Sequence, residues 1–170
     1  MVYNVLYTFL IMATLLVNDT MSFTSMKPQL NVEGEQNKEA DMYVFAYLWE
    51  PESCYENPSW TQCGDPQIFW GNHLVIHGLW PQYSSGGYPS TCRDEPFDEQ
   101  VIVNIGMNDM NQYWPNIKSN IHDADYDSFW EHEWTKHGTC SPLNQTNYFN
   151  NTLNLGLSLI HISEPTRQEA

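Results

Sequence analysis

The chain has 170 residues, room for one domain or a small pair, and sets 21 Asp and Glu against 6 Lys and Arg for a net charge of -15. Hydrophobic residues make up 41 % and aromatics 14 %, so the acidity is not that of a disordered polyanion, and one globular domain is expected. The charge argues against tight, sequence-independent binding to a nucleic-acid backbone, which draws on clustered Lys and Arg.

After Met-Val-Tyr-Asn the sequence runs apolar from Val5 to Val17. About a dozen such residues are short for a membrane span and fit the apolar region of a signal peptide. The expectation is a signal peptide over 1–22, cleaved near Thr20 to Ser25, and an acidic leader over 23–41. A buried N-terminal strand or helix is the alternative. No other stretch is apolar enough to span a bilayer, so no membrane association is expected after cleavage. Cys54, Cys63, Cys92 and Cys140 follow, spaced by 9, 29 and 48 residues. In a secretory context they read as two disulfides, in any of three pairings. A structural zinc is disfavoured because no C-x-x-C pair is present. Glycosylation sequons stand at Asn18, Asn144 and Asn150, the last two fitting an exposed loop or helix start.

Met42 to Trp49 reads as a buried strand of aromatic and small apolar residues, closed by Glu50-Pro51. Glu50 to Gln67 reads as a loop. His73 to Leu79 is a second strand, ended by Pro81 and the turn residues Ser84-Ser85-Gly86-Gly87. Asp98 to Tyr113 predicts one helix bounded by Pro115. Ser128-Phe-Trp-Glu131 has the pattern of a capping box opening a helix to His137, with Gly138 as the stop. Asn147 to Ile160 predicts a last helix. Strands and helices mix without a regular βαβ rhythm, so the fold class is α+β, an antiparallel sheet packed with helices.

On a helical wheel, His132, Lys136, Glu133 and His137 share an arc of about 140°, with Trp130 and Trp134 behind them. An ordinary solvated face accounts for Glu133 and Lys136 but less well for two histidines. A zinc hydrolase places two His at i and i+4. Here the spacing is i and i+5, the side chains are expected to diverge, and Lys136 adds a cation, so no metal is expected. A third histidine, His77, ends the second strand in His77-Gly-Leu-Trp-Pro81. Histidines beside Lys and Glu suit RNA cleavage: a base takes the 2'-hydroxyl proton, an acid protonates the leaving 5'-oxygen, and a cation stabilises the phosphoryl charge. That chemistry calls for no cofactor.

The segments His73-Leu-Val-Ile-His-Gly-Leu-Trp-Pro81 and Phe129-Trp-Glu-His-Glu-Trp-Thr-Lys-His-Gly-Thr-Cys140 resemble the two active-site segments of the ribonuclease T2 family. The resemblance runs from about Met42 to Leu157. It implies a secreted or lysosome-like acid endoribonuclease acting on single-stranded RNA through a 2',3'-cyclic phosphate, and a monomer. His137 would be the general base and His77 the general acid. His132 would hold the phosphate, and Glu133 and Lys136 would stabilise the transition state. Trp80 and Tyr88 would meet the substrate base. It also implies the disulfide pairs Cys92–Cys140 and Cys54–Cys63.

The sequence departs from the family at Gln82, where an acidic residue or Asn is frequent, which leaves base preference open. Family members also continue well past the second segment. The expectation is therefore a ribonuclease T2-like domain over 42–160 whose C-terminal part is missing, and a non-family tail over 161–170. The alternative is an inactive or truncated relative acting as a secreted binding protein.

Overall fold

The structure is a computed structural model that describes residues 12–15 and 39–163, with the side chains of 39–159. Most of the stretch read as signal peptide and leader, the sequon at Asn18 and residues 164–170 lie outside the described residues. Met12–Leu15, inside the signal-peptide stretch, forms an edge strand, β1. It pairs antiparallel with β2, Met42–Leu48, which pairs antiparallel with β3, Val75–Gln82. The sheet order is β1-β2-β3.

β2 reads Met-Tyr-Val-Phe-Ala-Tyr-Leu, a run of large and β-branched residues suited to a pleated, buried surface, and Val44 to Tyr47 are all buried. β3 starts later than His73 and continues through Pro81, which pairs opposite Tyr43. Among the described residues β3 lies at the edge of the sheet, where proline leaves no ladder bond unmade. The β2–β3 register runs Met42↔Gln82 to Ala46↔Gly78 and then resumes at Tyr47↔Ile76. His77 is the extra residue of a bulge.

The stretch read as a loop from Glu50 to Gln67 instead contains helix α1, Glu50–Glu56, and a 3-10 turn at Thr61–Gly64. Pro51 sits in the first turn of α1, where its missing N–H costs nothing, so it opens a helix rather than closing the strand alone. The single helix expected over Asp98 to Tyr113 is two: α2, Glu99–Ile105, and α3, Met107–Tyr113. Gly106 separates them with φ +128, a backbone state no helix interior adopts. Asp98 caps α2 through its carboxylate, which accepts from the Gln100 N–H at 3.0 Å.

Helix α4 spans Ser128–Lys136. The capping box does not form: Asp127 is the N-cap, it makes no side-chain cap bond, and Ser128 is already the first helical residue. A 3-10 turn at Gly138–Cys140 follows. Helix α5 runs Gln145–Ser163, two residues longer at its start than expected and three residues into the stretch read as a tail. Asn144 lies exposed before it, its side chain accepting from the Asn147 N–H at 2.9 Å, and Asn150 is half-buried on it.

The core forms where α5, α3 and α4 cover one face of β2 and β3. It is built from Phe45, Ile76, Met110, Trp114, Trp130, Trp134, Tyr148 and Phe149 with their neighbours. Gly156 lets α5 come close, since a Cβ there would run into the Ile76 side chain. The buried tryptophans combine bulk with one directed donor each. Trp114 donates to the His77 carbonyl at 2.8 Å, Trp130 to the Trp114 carbonyl at 2.9 Å and Trp134 to the Glu95 carbonyl at 3.0 Å. These bonds fasten β3, the segment after α3, and α4 to one another.

Disulfides join Cys54 to Cys63 and Cys92 to Cys140, the two pairings the resemblance implies. The first staples α1 to the following turn. The second ties the segment after β3 to the turn that follows α4, across a sequence separation of 48 that spans α2, α3 and α4.

Candidate active site

Two departures from regular structure create the site. The bulge in β3 breaks the alternation of faces, and His77 comes to share a side with Trp80, their rings 5.1 Å apart. Gly78 is then compulsory. A Cβ there would collide with the Glu133 carboxylate and the Trp80 indole nitrogen, so only glycine lets the helix carboxyl reach the strand. The second departure is the end of α4. The helix stops at Lys136, and His137 caps it at φ -117, ψ -50, off the helical path.

Because His137 leaves the helix, the divergence expected from the wheel does not occur. The His132 and His137 rings lie 6.4 Å apart. Glu133 also departs from the wheel picture. It is 1 % exposed, which sets aside the alternative of an ordinary solvated face, and it points under the strand. The Trp80 indole donates to its Oε2 at 2.8 Å, and its Oε1 stands 3.8 Å from His77 Nε2. Trp80 also stacks on His137, with ring centroids 5.1 Å apart and an interplanar angle of 27°. Phe129 packs on the other side of His77 at 5.5 Å. His77, Trp80, Glu133 and His137 thus form one cluster, with Lys136 and His132 at its rim.

Burial sets the charge states. It pushes the Glu133 carboxyl up to about 8, against a smaller lowering pull from the Trp80 bond and Lys136. It pushes His77 down to about 4, helped by His132, Lys118 and Lys136. His137 is also driven down to about 4, first by burial and then by Lys136, His132 and His77. His132 is lowered by burial, Lys136 and Lys118. At neutral pH the cluster is therefore a neutral carboxyl between two neutral imidazoles, beside ammonium groups. A protonated Glu133 does not repel a phosphate, whereas a carboxylate would. The Nδ1 atoms of His77 and His137 are buried and make no hydrogen bond among the described residues.

Ligand atoms of His132, Glu133 and His137 lie within 4.8 Å of one another, a spacing a metal ion could use. The donor set fits one poorly. Glu133 is committed to Trp80 and holds its proton to about 8, and Lys136 places a cation alongside.

Tyr88 is 55 % exposed and has no ring contact with the cluster. Three contributors escaped the sequence reading. Trp114 holds the His77 carbonyl, Phe129 packs on the His77 ring, and Lys118 acts on His77 and His132 electrostatically. Lys118 also lies over the Trp60 ring at 5.0 Å. Its loop is pinned by the Gln62 side chain, which donates to the Asn116 and Ser119 carbonyls at 2.6 and 2.8 Å. The Tyr113-Trp114-Pro115 run could have signalled Trp114. No spacing rule would have found Lys118.

A strand histidine and a helix-end histidine converge on a buried carboxyl with lysine beside them, an arrangement chemically able to give and take protons from two sides. The family model of the Ribonuclease T2 family matches residues 40–163, and the chain belongs to that family. It is 33 % identical over 145 residues to Ribonuclease 1 of Arabidopsis thaliana, covering 79 % of this chain and 58 % of that protein. It is 36 % identical over 106 residues to Ribonuclease Oy of Magallana gigas, covering 61 % and 46 %. Ribonuclease MC1 from bitter gourd seeds superposes with a TM-score of 0.55 at 34 % identity, over 68 % of this chain and 57 % of that one. RNase NT in complex with 5'-AMP gives 0.56 at 30 % identity, over 75 % and 64 %. The chain spans about half the length of the curated relatives it matches. The α+β architecture with an antiparallel sheet is that of these structures.

Proposed function

We propose that this chain is a T2-type endoribonuclease cleaving single-stranded RNA without a metal, through a 2',3'-cyclic phosphate. The convergence of His77 and His137 on Glu133 carries this reading. His137 serves as the base that takes the 2'-hydroxyl proton, and the 2'-oxygen attacks the phosphorus. His77 serves as the acid that gives a proton to the leaving 5'-oxygen. The two exchange roles when water opens the cyclic phosphate. Lys136 and the neutral, hydrogen-bonding Glu133 meet the charge that builds on the non-bridging oxygens, and His132 holds the phosphate. Trp80 and Tyr88 meet the substrate base, with stacking of about 1–3 kcal/mol.

Family membership supports this reading, as do relatives solved with 5'-AMP and 5'-GMP. The net charge of -15 fits a catalyst that needs only a local cationic rim and transient binding. Two disulfides and the sequons at Asn144 and Asn150 support a secreted, glycosylated protein, which acts as the monomer that the resemblance implies. Its place of action is the extracellular space or a lysosome-like acidic compartment. The relatives include an extracellular and an intracellular ribonuclease of Solanum lycopersicum.

The test is digestion of single-stranded RNA by the purified chain in EDTA. Activity should persist, and His77→Ala and His137→Ala should each lower it about 10²–10⁴-fold. Loss of activity in EDTA, or an active double mutant, would overturn the proposal. Binding of RNA without cleavage would favour a non-catalytic binding protein.

A further inference from the structure

The outer face of α4 carries more than the rim of the catalytic cluster. Ser128, Glu131, His132, Thr135 and Lys136 fall at helical spacing on one stripe, and with Ser90 and Thr91 they line a groove of about 440 Å³. That volume is within the range of ligand clefts, about 300–1,000 Å³. Among its lining residues none is apolar. Four hydroxyls, a carboxylate, an imidazole and an ammonium face the same space. His132 and Lys136 belong to both the groove and the catalytic rim, so the two are continuous.

The facing wall is held deliberately. Thr91 has φ +53, a left-handed state that is rare and costly for a β-branched residue. Its N–H donates to the Lys136 carbonyl at 3.1 Å, and the next residue, Cys92, donates to Thr139 Oγ1 at 3.1 Å and is bonded to Cys140. The Thr91 and Ser90 hydroxyls stand 3.5 Å apart. Hydrogen bonds from two successive backbone N–H groups and a disulfide thus hold this strained turn, with its two hydroxyls, opposite the helix stripe.

We propose that this groove is an additional RNA subsite, seating the sugar–phosphate of a nucleotide beyond the two that flank the cleaved bond. Lys136 and His132, which hold the scissile phosphate, mark the end the groove shares with the catalytic cluster. The Ser and Thr hydroxyls donate to phosphate oxygens and exchange hydrogen bonds with the ribose 2'-hydroxyl, and Glu131 accepts from sugar hydroxyls. With no Phe, Tyr, Trp or aliphatic side chain in the lining to receive a base, the base projects outward, and the subsite adds length preference without sequence preference.

The subsite rests on the ribonuclease reading, and a binding measurement keeps the two separable. A tetranucleotide and a dinucleotide, each with a 2'-deoxy sugar at the scissile position, are titrated into the full chain and into the Ser90→Ala/Thr135→Ala variant. The variant is expected to bind the tetranucleotide about 5- to 10-fold more weakly and the dinucleotide unchanged. An equal loss for both oligonucleotides, or no loss for either, would overturn the subsite. Failure of the unsubstituted chain to cleave ordinary RNA would overturn the catalytic reading instead, with the difference in Kd still deciding the subsite.

Discussion

The two histidine-bearing segments reach the same point by different means. β3 delivers His77 through an irregularity inside a strand, and the main chain there is held directly by the Trp114 indole on the His77 carbonyl. α4 delivers His137 by ending, and that ring is held by its face, stacked on Trp80. Glu133 joins them, reaching from the helix across the space left by Gly78 to the strand. The strand side is therefore a backbone-fixed wall and the helix side a side-chain-packed one. Changes on the strand side should act through position, and changes on the helix side through electrostatics and stacking.

The sharpest way to break this comparison uses two glycines that both permit close approach. Gly78→Ala and Gly156→Ala each add one methyl to a crowded contact and should each cost about 1–3 kcal/mol of stability. Gly78→Ala also displaces the Glu133 carboxyl and Trp80, so kcat should fall by one to two orders of magnitude, as about 2 kcal/mol of barrier implies. Gly156→Ala, packed on Ile76 away from the cluster, should leave kcat per folded molecule unchanged. Thermal melts with active-site titration check this. Equal loss of kcat in both would erase the distinction between wall and scaffold.

Protonation gives a second handle. His77 and His137 are depressed to about 4 from 6.5, so between those values the unfolded chain binds more protons, and stability is lost as pH falls through that window. Glu133 is raised from 4.5 to about 8, and the buried Glu50 at the start of α1 from 4.5 to about 7. In those windows the folded chain binds the extra protons, so stability falls as pH rises. The two effects leave maximum stability at mildly acidic pH, between about 4.5 and 6.5. Glu50→Gln removes one part of the alkaline decline without touching the cluster. Its gain in Tm over the parent should grow from pH 5 to pH 8, and a constant difference would contradict this origin. Activity should rise as pH falls below neutral, because the acid histidine must carry a proton. A flat profile from pH 4 to 8 would contradict that requirement.

The smallest expected effect is at Trp114. Trp114→Phe keeps most of the bulk but removes the donor to the His77 carbonyl, costing about 0.5–1.5 kcal/mol. The His77 ring should then report the change in its NMR titration, while His137 should not.

Much of this was legible in the sequence for definable reasons. β2 and α5 were readable because buried aromatics in a strand and apolar residues at helical spacing leave strong periodic signals, though the α5 boundaries moved. The residues of the cluster were visible as two dense motifs. Their arrangement was not, because both key positions lie where periodicity fails: a bulge at His77 and a helix end at His137. A wheel that continued through His137 moved it away from His132, and it set Glu133 on one arc with His132 and Lys136 without recording that Glu133 is buried. Pro51 and Pro81 misled for a related reason. Proline was read as a terminator, but it opens α1 and sits within an edge strand. Lys118 comes to the site through a loop pinned by Gln62, a contact between residues more than 50 positions apart that no local pattern records.

The central claim is that the two histidines transfer protons around a phosphodiester without a metal. The most direct test is end-group analysis of the fragments formed from a defined single-stranded RNA in EDTA. Fragments bearing 2',3'-cyclic phosphate, accumulating first and then opening to 3'-phosphate, are the predicted result, and His137→Ala should prevent their formation. Fragments bearing 5'-phosphate, or cyclic phosphate formed as fast by His137→Ala as by the parent, would contradict the account.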